Sequence, residues 1–207
     1  MRVFIETCVA VVVLVLLIPV LSLIGLAIVL DSPGSPFYFA PRVGKGGKPF
    51  RMLKFRTMVT GAARIGPPIT GRRDPRITRV GQFLRVTKLD ELPQFVNVML
   101  GDMSLVGPRP EAPDLVALYT PEQRAVLAVR PGITGASQLA SREESDSIPE
   151  NVKADEYYLR HIMQGKVQSD IDYIRRRSLR MDLQILAETA MYVLRNFGRR
   201  VATVFRY

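Results

Sequence analysis

The chain opens on a long apolar run: the 23 residues from Cys8 to Leu30 carry no charge and are dominated by Val, Leu and Ile. As a straight helix this run reaches about 35 Å, enough to enter or cross a hydrocarbon layer about 30 Å thick. The apolar cores of cleaved signal peptides are shorter, about 7–15 residues, and no clean Ala-x-Ala site follows this one. The pattern therefore predicts a permanent membrane-embedded helix over residues 1–31 and a membrane-associated domain over 32–207. Pro19 lies near the middle of the run, where its missing N–H frees the carbonyl of Val15 and its ring pushes the helix off axis. That predicts either a kinked spanning helix or a break that returns the chain to the face it entered.

Downstream the periodicity changes. Asp31-Ser32-Pro33-Gly34-Ser35-Pro36 is turn-forming, Phe37-Tyr38-Phe39 reads as a short strand, and Phe50 to Met58 reads as its partner across a Gly44–Lys48 loop. On that second strand Lys54 and Arg56 share one face, about 7 Å apart, and could grip a diphosphate or line a surface of lipid heads. Thr60 to Thr78 holds three Gly and three Pro and predicts irregular chain. Val80 to Val86 is a short piece, helical or extended, that carries Arg85.

A helix is predicted from Thr87 to Leu100, apolar at Leu89, Leu92, Val96, Met99 and Leu100 and stopped by Gly101. Leu105 to Pro110 follows as an extended segment in which Pro108 and Pro110 fix the backbone around Arg109. A further helix is predicted from the Thr120-Pro121-Glu122 cap, ending before Arg130-Pro131-Gly132, and loop chemistry resumes at Gly132–Gly135. Near the C-terminus Leu183, Leu186, Ala190, Val193, Leu194 and Phe197 recur at helical spacing beside Arg195, Arg199 and Arg200. Such a helix lies in a membrane interface or packs on a core. The fold class is thus α+β, mainly helical, with a membrane helix, a short β-hairpin and amphipathic helices around one small domain.

Charge sharpens this picture. From Arg42 to Lys88 thirteen Lys and Arg face a single acid, Asp74, a net of +12 within a chain of +10. These cations place the C-terminal side of the apolar run in the cytoplasm, with Arg2 outside for a spanning helix and inside for a re-entrant one. Two adjacent carboxylates, Asp90 and Glu91, close the basic stretch. A field this positive keeps carboxylates ionised and attracts phosphates, the setting of a carboxylate nucleophile in phosphoryl chemistry. On spacing alone a plainer reading also stands, in which Thr87 caps a helix and the two acids complement its dipole. With one Cys and one His, an intrachain disulfide and a thiolate metal cluster are excluded, zinc chemistry is not expected, and any metal is a hard cation on carboxylate oxygens.

Five segments occur in order: Lys54-Phe55-Arg56-Thr57-Met58, Asp74-Pro75-Arg76-Ile77-Thr78, Leu89-Asp90-Glu91-Leu92-Pro93-Gln94, Gly101-Asp102-Met103-Ser104-Leu105-Val106-Gly107-Pro108-Arg109-Pro110 and Val129-Arg130-Pro131-Gly132-Ile133-Thr134-Gly135. Together they closely resemble the bacterial sugar transferases, monotopic phosphoglycosyl transferases that start glycan assembly on polyprenyl phosphate. The resemblance runs over nearly the whole chain. It implies an enzyme at the cytoplasmic face of the bacterial inner membrane that moves a sugar 1-phosphate from a UDP-sugar to polyprenyl (undecaprenyl) phosphate and releases UMP. It further implies Mg²⁺ as cofactor, Asp90 as a nucleophile forming a covalent phosphosugar intermediate, and Glu91, with Asp90, as the metal's carboxylates. Lys54, Arg56, Arg85, Arg109 and, after the Gly135 loop, Arg142 are the candidates to bind and neutralise the diphosphate.

The anchor implied is a helix, a break and a helix that re-enters the cytoplasmic face among membrane phospholipids, with the break at Pro19. Here Ile18 precedes Pro19 where the family pairs a Ser with the Pro, while Arg2 and Glu6 fill the family's basic and acidic flanking positions. Ser141-Arg142-Glu143 departs from the family's Gly-Arg-Asn, and Asn151 to Ser169 is longer than in the smallest members. The rival is a membrane-tethered basic scaffold that binds anionic lipid or nucleic acid, with a lapsed transferase as a third reading. Few aromatics interleave with the basic residues from Gly61 to Lys88, which argues against a nucleic-acid partner, and a polyanion binder gains nothing from Asp90 and Glu91.

Overall fold

The computed structural model describes residues 2–66, 74–140, 152 and 154–204. The apolar run forms one continuous helix, α1 (Arg2–Asp31), with Pro19 inside it. Among the described residues it is the one helix long and apolar enough to cross a membrane. Most of its surface is exposed; its buried residues are Glu6, Ala10 and Ile28.

Both ends of α1 are held by the same polar domain. At the N-terminal end Glu6 accepts hydrogen bonds from Ser104 Oγ (2.9 Å) and an Arg130 guanidinium nitrogen (2.8 Å), and Arg2 pairs with Asp182 (2.8 Å). At the C-terminal end the Asp31 carboxylate accepts the Val80 N–H at 3.0 Å, and Ile28 packs with Phe55 and Leu84. Glu6 and Asp31 are about 38 Å apart along a straight helix.

The predicted hairpin forms as β1 (Phe37–Val43) and β2 (Pro49–Phe55), antiparallel in a register that sets Phe37 opposite Phe55 and Tyr38 opposite Lys54. β2 stops at Phe55 rather than at Met58. Arg56 therefore turns away, donating to the carbonyls of Ser32 (2.6 Å) and Pro33 (2.7 Å), and so supplies donors where α1 has run out of its own. The irregular stretch contains a one-turn helix α2 (Ala62–Ile65), and Arg76 closes it with a bidentate pair to Asp74 and a bond to the Ala62 carbonyl.

The largest correction concerns residues 79–101. Arg79–Thr87 is a helix, α3, capped by Thr78, whose hydroxyl accepts the Gly81 N–H at 3.0 Å. Thr87 ends it, bonding back to the carbonyls of Phe83 and Leu84. Lys88, alone among the described non-glycine residues, has a positive φ, 62°, and this left-handed step breaks the expected Thr87–Leu100 helix. Leu89–Glu91 forms a 3₁₀ turn, and α4 (Gln94–Leu100) begins only after Pro93. The delay changes which face is buried: Gln94, Asn97 and Val98 point inward, while Met99 and Leu100 are exposed.

β3 (Ser104–Val106) and β4 (Gly132–Thr134) pair in parallel, with α5 (Pro113–Ala117) and a 3₁₀ segment, Gln123–Ala128, between them. That 3₁₀ segment replaces the predicted helix, although Thr120 and Gln123 exchange the reciprocal bonds of a capping box. Among the described residues the remaining helices are α6 (Ala136–Ala140), α7 (Ala154–Tyr157), α8 (Met163–Arg176) and α9 (Leu179–Val204), with a π-turn at Tyr158–Ile162. α8 covers the main core of Val43, Val116, Tyr119, Val126 and Ile171. α9 buries Asp182 and Ile185 on one side and exposes Leu179, Leu183, Met191 and Leu194 on the other.

Candidate functional site

The Leu89–Glu91 turn sits where α3, β2 and the segment after β3 converge. Asn97 sets its height over the hairpin: its side-chain oxygen accepts the Leu53 N–H at 2.8 Å and its amide donates to the Arg51 carbonyl at 2.9 Å. Lys54, the next residue of β2, is thereby brought to the turn. Its Nζ donates to Glu91 Oε1 at 3.1 Å, and an Arg109 guanidinium nitrogen donates to the same oxygen at 3.0 Å. Arg85 approaches from α3, one turn before Asp90, its Nε donating to Thr57 Oγ1 at 2.8 Å.

The two carboxylates differ in kind. Burial works against the charge on Glu91, but Arg109, Lys54 and Lys88 outweigh it and hold its carboxyl well below the usual carboxylate range. Asp90 is only 8 % exposed, and burial, reinforced by Glu91, pushes its carboxyl above its ordinary value against the pull of Lys54, Lys88 and Arg85. Its Oδ1 is buried and accepts no hydrogen bond. One carboxylate is thus clamped by two cations, while its neighbour keeps an oxygen uncommitted, an arrangement that suits attack on an electrophile or coordination of a cation.

Among the described residues no cluster of three or more His, Cys, Asp or Glu side chains gathers around a metal-sized space. Mg²⁺ ordinarily needs one or two carboxylates and completes its shell with waters and substrate phosphates. The uncommitted Asp90 oxygen beside the Glu91 carboxylate fits that donor set.

Of the residues singled out from sequence, Asp90, Glu91, Lys54, Arg85 and Arg109 come together. Arg56 is engaged with the turn after α1, and Arg142 lies outside the described residues. Sequence reasoning missed Asn97, although an Asn inside an apolar helical run is an anomaly that signals a side-chain-to-backbone role. It also missed Lys88, Thr57 and Arg42. Arg42 lies on β1; burial and the nearby Arg109 charge lower its pKa.

A family model described as bacterial sugar transferase matches residues 1–196. The UDP-glucose:undecaprenyl-phosphate glucose-1-phosphate transferase of Caulobacter vibrioides is 41 % identical over 181 residues, covering 85 % of this chain and 63 % of that protein. The protein of the same description from Escherichia coli K12 is 38 % identical over 202 residues, 93 % of this chain and 39 % of its own length. The exopolysaccharide production protein PSS of Rhizobium leguminosarum bv. phaseoli is 38 % identical over 185 residues, 86 % of this chain and 87 % of that protein. The chain therefore spans less than two thirds of the first two relatives.

Proposed function

The chain belongs to the bacterial sugar transferase family, and from that premise we propose that it transfers a sugar 1-phosphate from a UDP-sugar to undecaprenyl phosphate and releases UMP. This is the first membrane step of a polysaccharide or glycoconjugate pathway. The observation that carries the reading is the division between the clamped Glu91 and the buried Asp90, whose Oδ1 has no partner.

Asp90 attacks the phosphorus that bears the sugar. A bond forms from its carboxylate oxygen to that phosphorus as the bond to the bridging oxygen breaks, and UMP departs with the electron pair. An oxygen of undecaprenyl phosphate then attacks the same phosphorus, freeing the Asp90 carboxylate and leaving a sugar diphosphate on the lipid. Carboxylate and diphosphate repel each other before they react, so cations must offset that repulsion. Lys54 and Arg109 pair with Glu91, and Lys54, Lys88 and Arg85 act on Asp90; oriented charges of this kind favour the transition state. Mg²⁺ held by Glu91 and Asp90 would supply further neutralisation of the diphosphate.

The anchor reading is re-entrant, with residues 32–207 on the cytoplasmic face. Its support is that one polar domain grips α1 at Arg2 and Glu6 and again at Asp31. A helix crossing perpendicular to a layer about 30 Å thick would put those contacts on opposite sides. The exposed Leu179, Leu183, Met191 and Leu194 of α9 and the exposed Phe37, Tyr38 and Phe39 suit contact with phospholipid at the same interface.

The test is turnover with UDP-sugars and undecaprenyl phosphate, read as UMP release and as labelling of the protein by phosphosugar. Asp90→Asn should abolish both. Normal turnover in that variant would end the covalent reading.

A further inference from the structure

Asp170 is a buried carboxylate that the reaction above leaves unused. It lies on α8, 5 % exposed, and accepts hydrogen bonds from Ser137 Oγ at 2.9 Å, from the Ser137 N–H at 3.4 Å and from the backbone N–H of Arg109. Ser137, itself fully buried, is the second residue of α6. One side chain therefore joins three pieces of chain distant in sequence: α8, the start of α6 and the Pro108-Arg109-Pro110 segment.

In that segment neither proline has an N–H, so the Arg109 amide is the one backbone donor available to fix the peptide plane. Neighbouring bonds run from the Gly107 N–H to the Thr134 carbonyl (3.0 Å) and from the Gly132 N–H to the Pro108 carbonyl (2.9 Å). They hold the segment on β4 from the N-terminal side of Arg109, and Asp170 holds Arg109 itself. Lys166, one turn earlier on the same helix, donates to Tyr158 (3.1 Å) and Glu111 (3.4 Å). A carboxylate this buried costs stability unless well bonded, and an apolar residue would fill the position at less cost.

We infer that Asp170, with Ser137, is a positioning residue for Arg109: by fixing the Arg109 amide it sets the guanidinium on Glu91. This rests on the transferase reading, in which Arg109 acts on the diphosphate. An oriented cation displaced by about 1 Å can cost about a hundredfold in rate, so the effect belongs in kcat.

The experiment uses the full chain in detergent or nanodiscs, with Asp170→Asn, Asp170→Ala and Ser137→Ala measured alone and in an Arg109→Ala background. Asp170→Ala and Ser137→Ala should lower kcat for UMP release by about tenfold to a hundredfold and leave KM for the UDP-sugar nearly unchanged. In the Arg109→Ala background they should add almost nothing. Asp170→Asn should melt no lower than wild type at alkaline pH and still lose activity. Hydrogen exchange of the peptide spanning residues 105–111 should speed up in each variant, while that of 92–100 does not. Unchanged kcat in a folded variant, full additivity with Arg109→Ala, or unchanged exchange overturns the inference. A wild type that releases no UMP overturns the transferase reading instead, and the exchange measurement then decides by itself whether Asp170 holds the Arg109 segment. If Asp170→Ala does not fold, Ser137→Ala carries the same test.

Discussion

Replacing Gly81 by Ala tests whether the placement of α3 controls the site. Gly81 is the third residue of α3, and a methyl built there lies 2.6 Å from the carbonyl carbon and 2.8 Å from the Cα of Thr57, nearer still to the oxygen. Ordinary carbon contacts begin near 3.5 Å, so the helix must withdraw by about 1 Å, and the obstacle is backbone that cannot swing aside. Thr57 also binds α3 twice: its carbonyl accepts the Thr78 N–H at 3.1 Å, and its hydroxyl accepts from Arg85 Nε at 2.8 Å. Overpacking costs about 1–3 kcal/mol and loss of the Thr78 bond about 1 kcal/mol more. A total of about 3 kcal/mol in a chain of this size lowers the melting temperature by about 6–12 °C. The control is Gly165→Ala, the third residue of α8 and helical on both sides because the π-turn runs straight into it, where nothing lies within 4 Å of the added methyl; it should gain about 0.5–1 kcal/mol. Thermal unfolding in detergent by circular dichroism reads both variants, and UMP release should fall in Gly81→Ala alone. A Gly81→Ala protein that melts with wild type would refute the packing of α3 on Thr57, and with it this account of how Arg85 reaches Asp90.

Three further outcomes follow from the geometry. Lys54→Met strands part of the buried Glu91 charge and should destabilise by about 3 kcal/mol, whereas Lys54→Met with Glu91→Gln should recover most of it; a double-mutant cycle in chemical denaturation with no coupling would contradict the pairing. Burial holds the Asp170 carboxyl up to about 6 against the donors from Ser137 and Arg109 and the nearby Lys166 charge. The folded state therefore binds the proton more tightly than the unfolded one, whose value is near 3.8, so stability falls by about 3 kcal/mol as pH rises from about 4 past 6; Asp170→Asn should flatten that limb in melts across pH. Finally, Val3→Cys in a Cys8→Ser background places a thiol at an exposed position beside the Arg2–Glu6 pair. The re-entrant anchor requires its labelling from the cytoplasmic side of membrane vesicles, and labelling from the outer side alone would establish a spanning helix.

Much of the site was legible because its chemistry is carried by residue type. Adjacent acids at the end of a stretch of thirteen cations stand out in any reading, and an Arg between two prolines announces a fixed guanidinium. The hairpin was legible from its Gly-rich loop and flanking apolar residues. Arg56 was misplaced because strand alternation assumes that the strand continues; β2 ends one residue before it, and the carbonyls after α1 offered better acceptors. The Thr87–Leu100 helix was misjudged because its apolar spacing is helical on both sides of the break. Neither propensity nor period marks Lys88 as the residue that adopts a left-handed backbone.

By itself the sequence determined the long apolar helix, the basic field, the nucleophile candidate and three of the cations around it, Lys54, Arg85 and Arg109, since these follow from side-chain chemistry and local order. Only the tertiary structure decided which carboxylate is clamped and which keeps a free oxygen. That distinction depends on Lys54 and Arg109 converging on one oxygen of Glu91 from segments 37 and 18 residues away. It also depends on burial that raises one pKa while paired charges lower the other. Desolvation and charge pairing are set by distances through space, and no spacing along the chain encodes them.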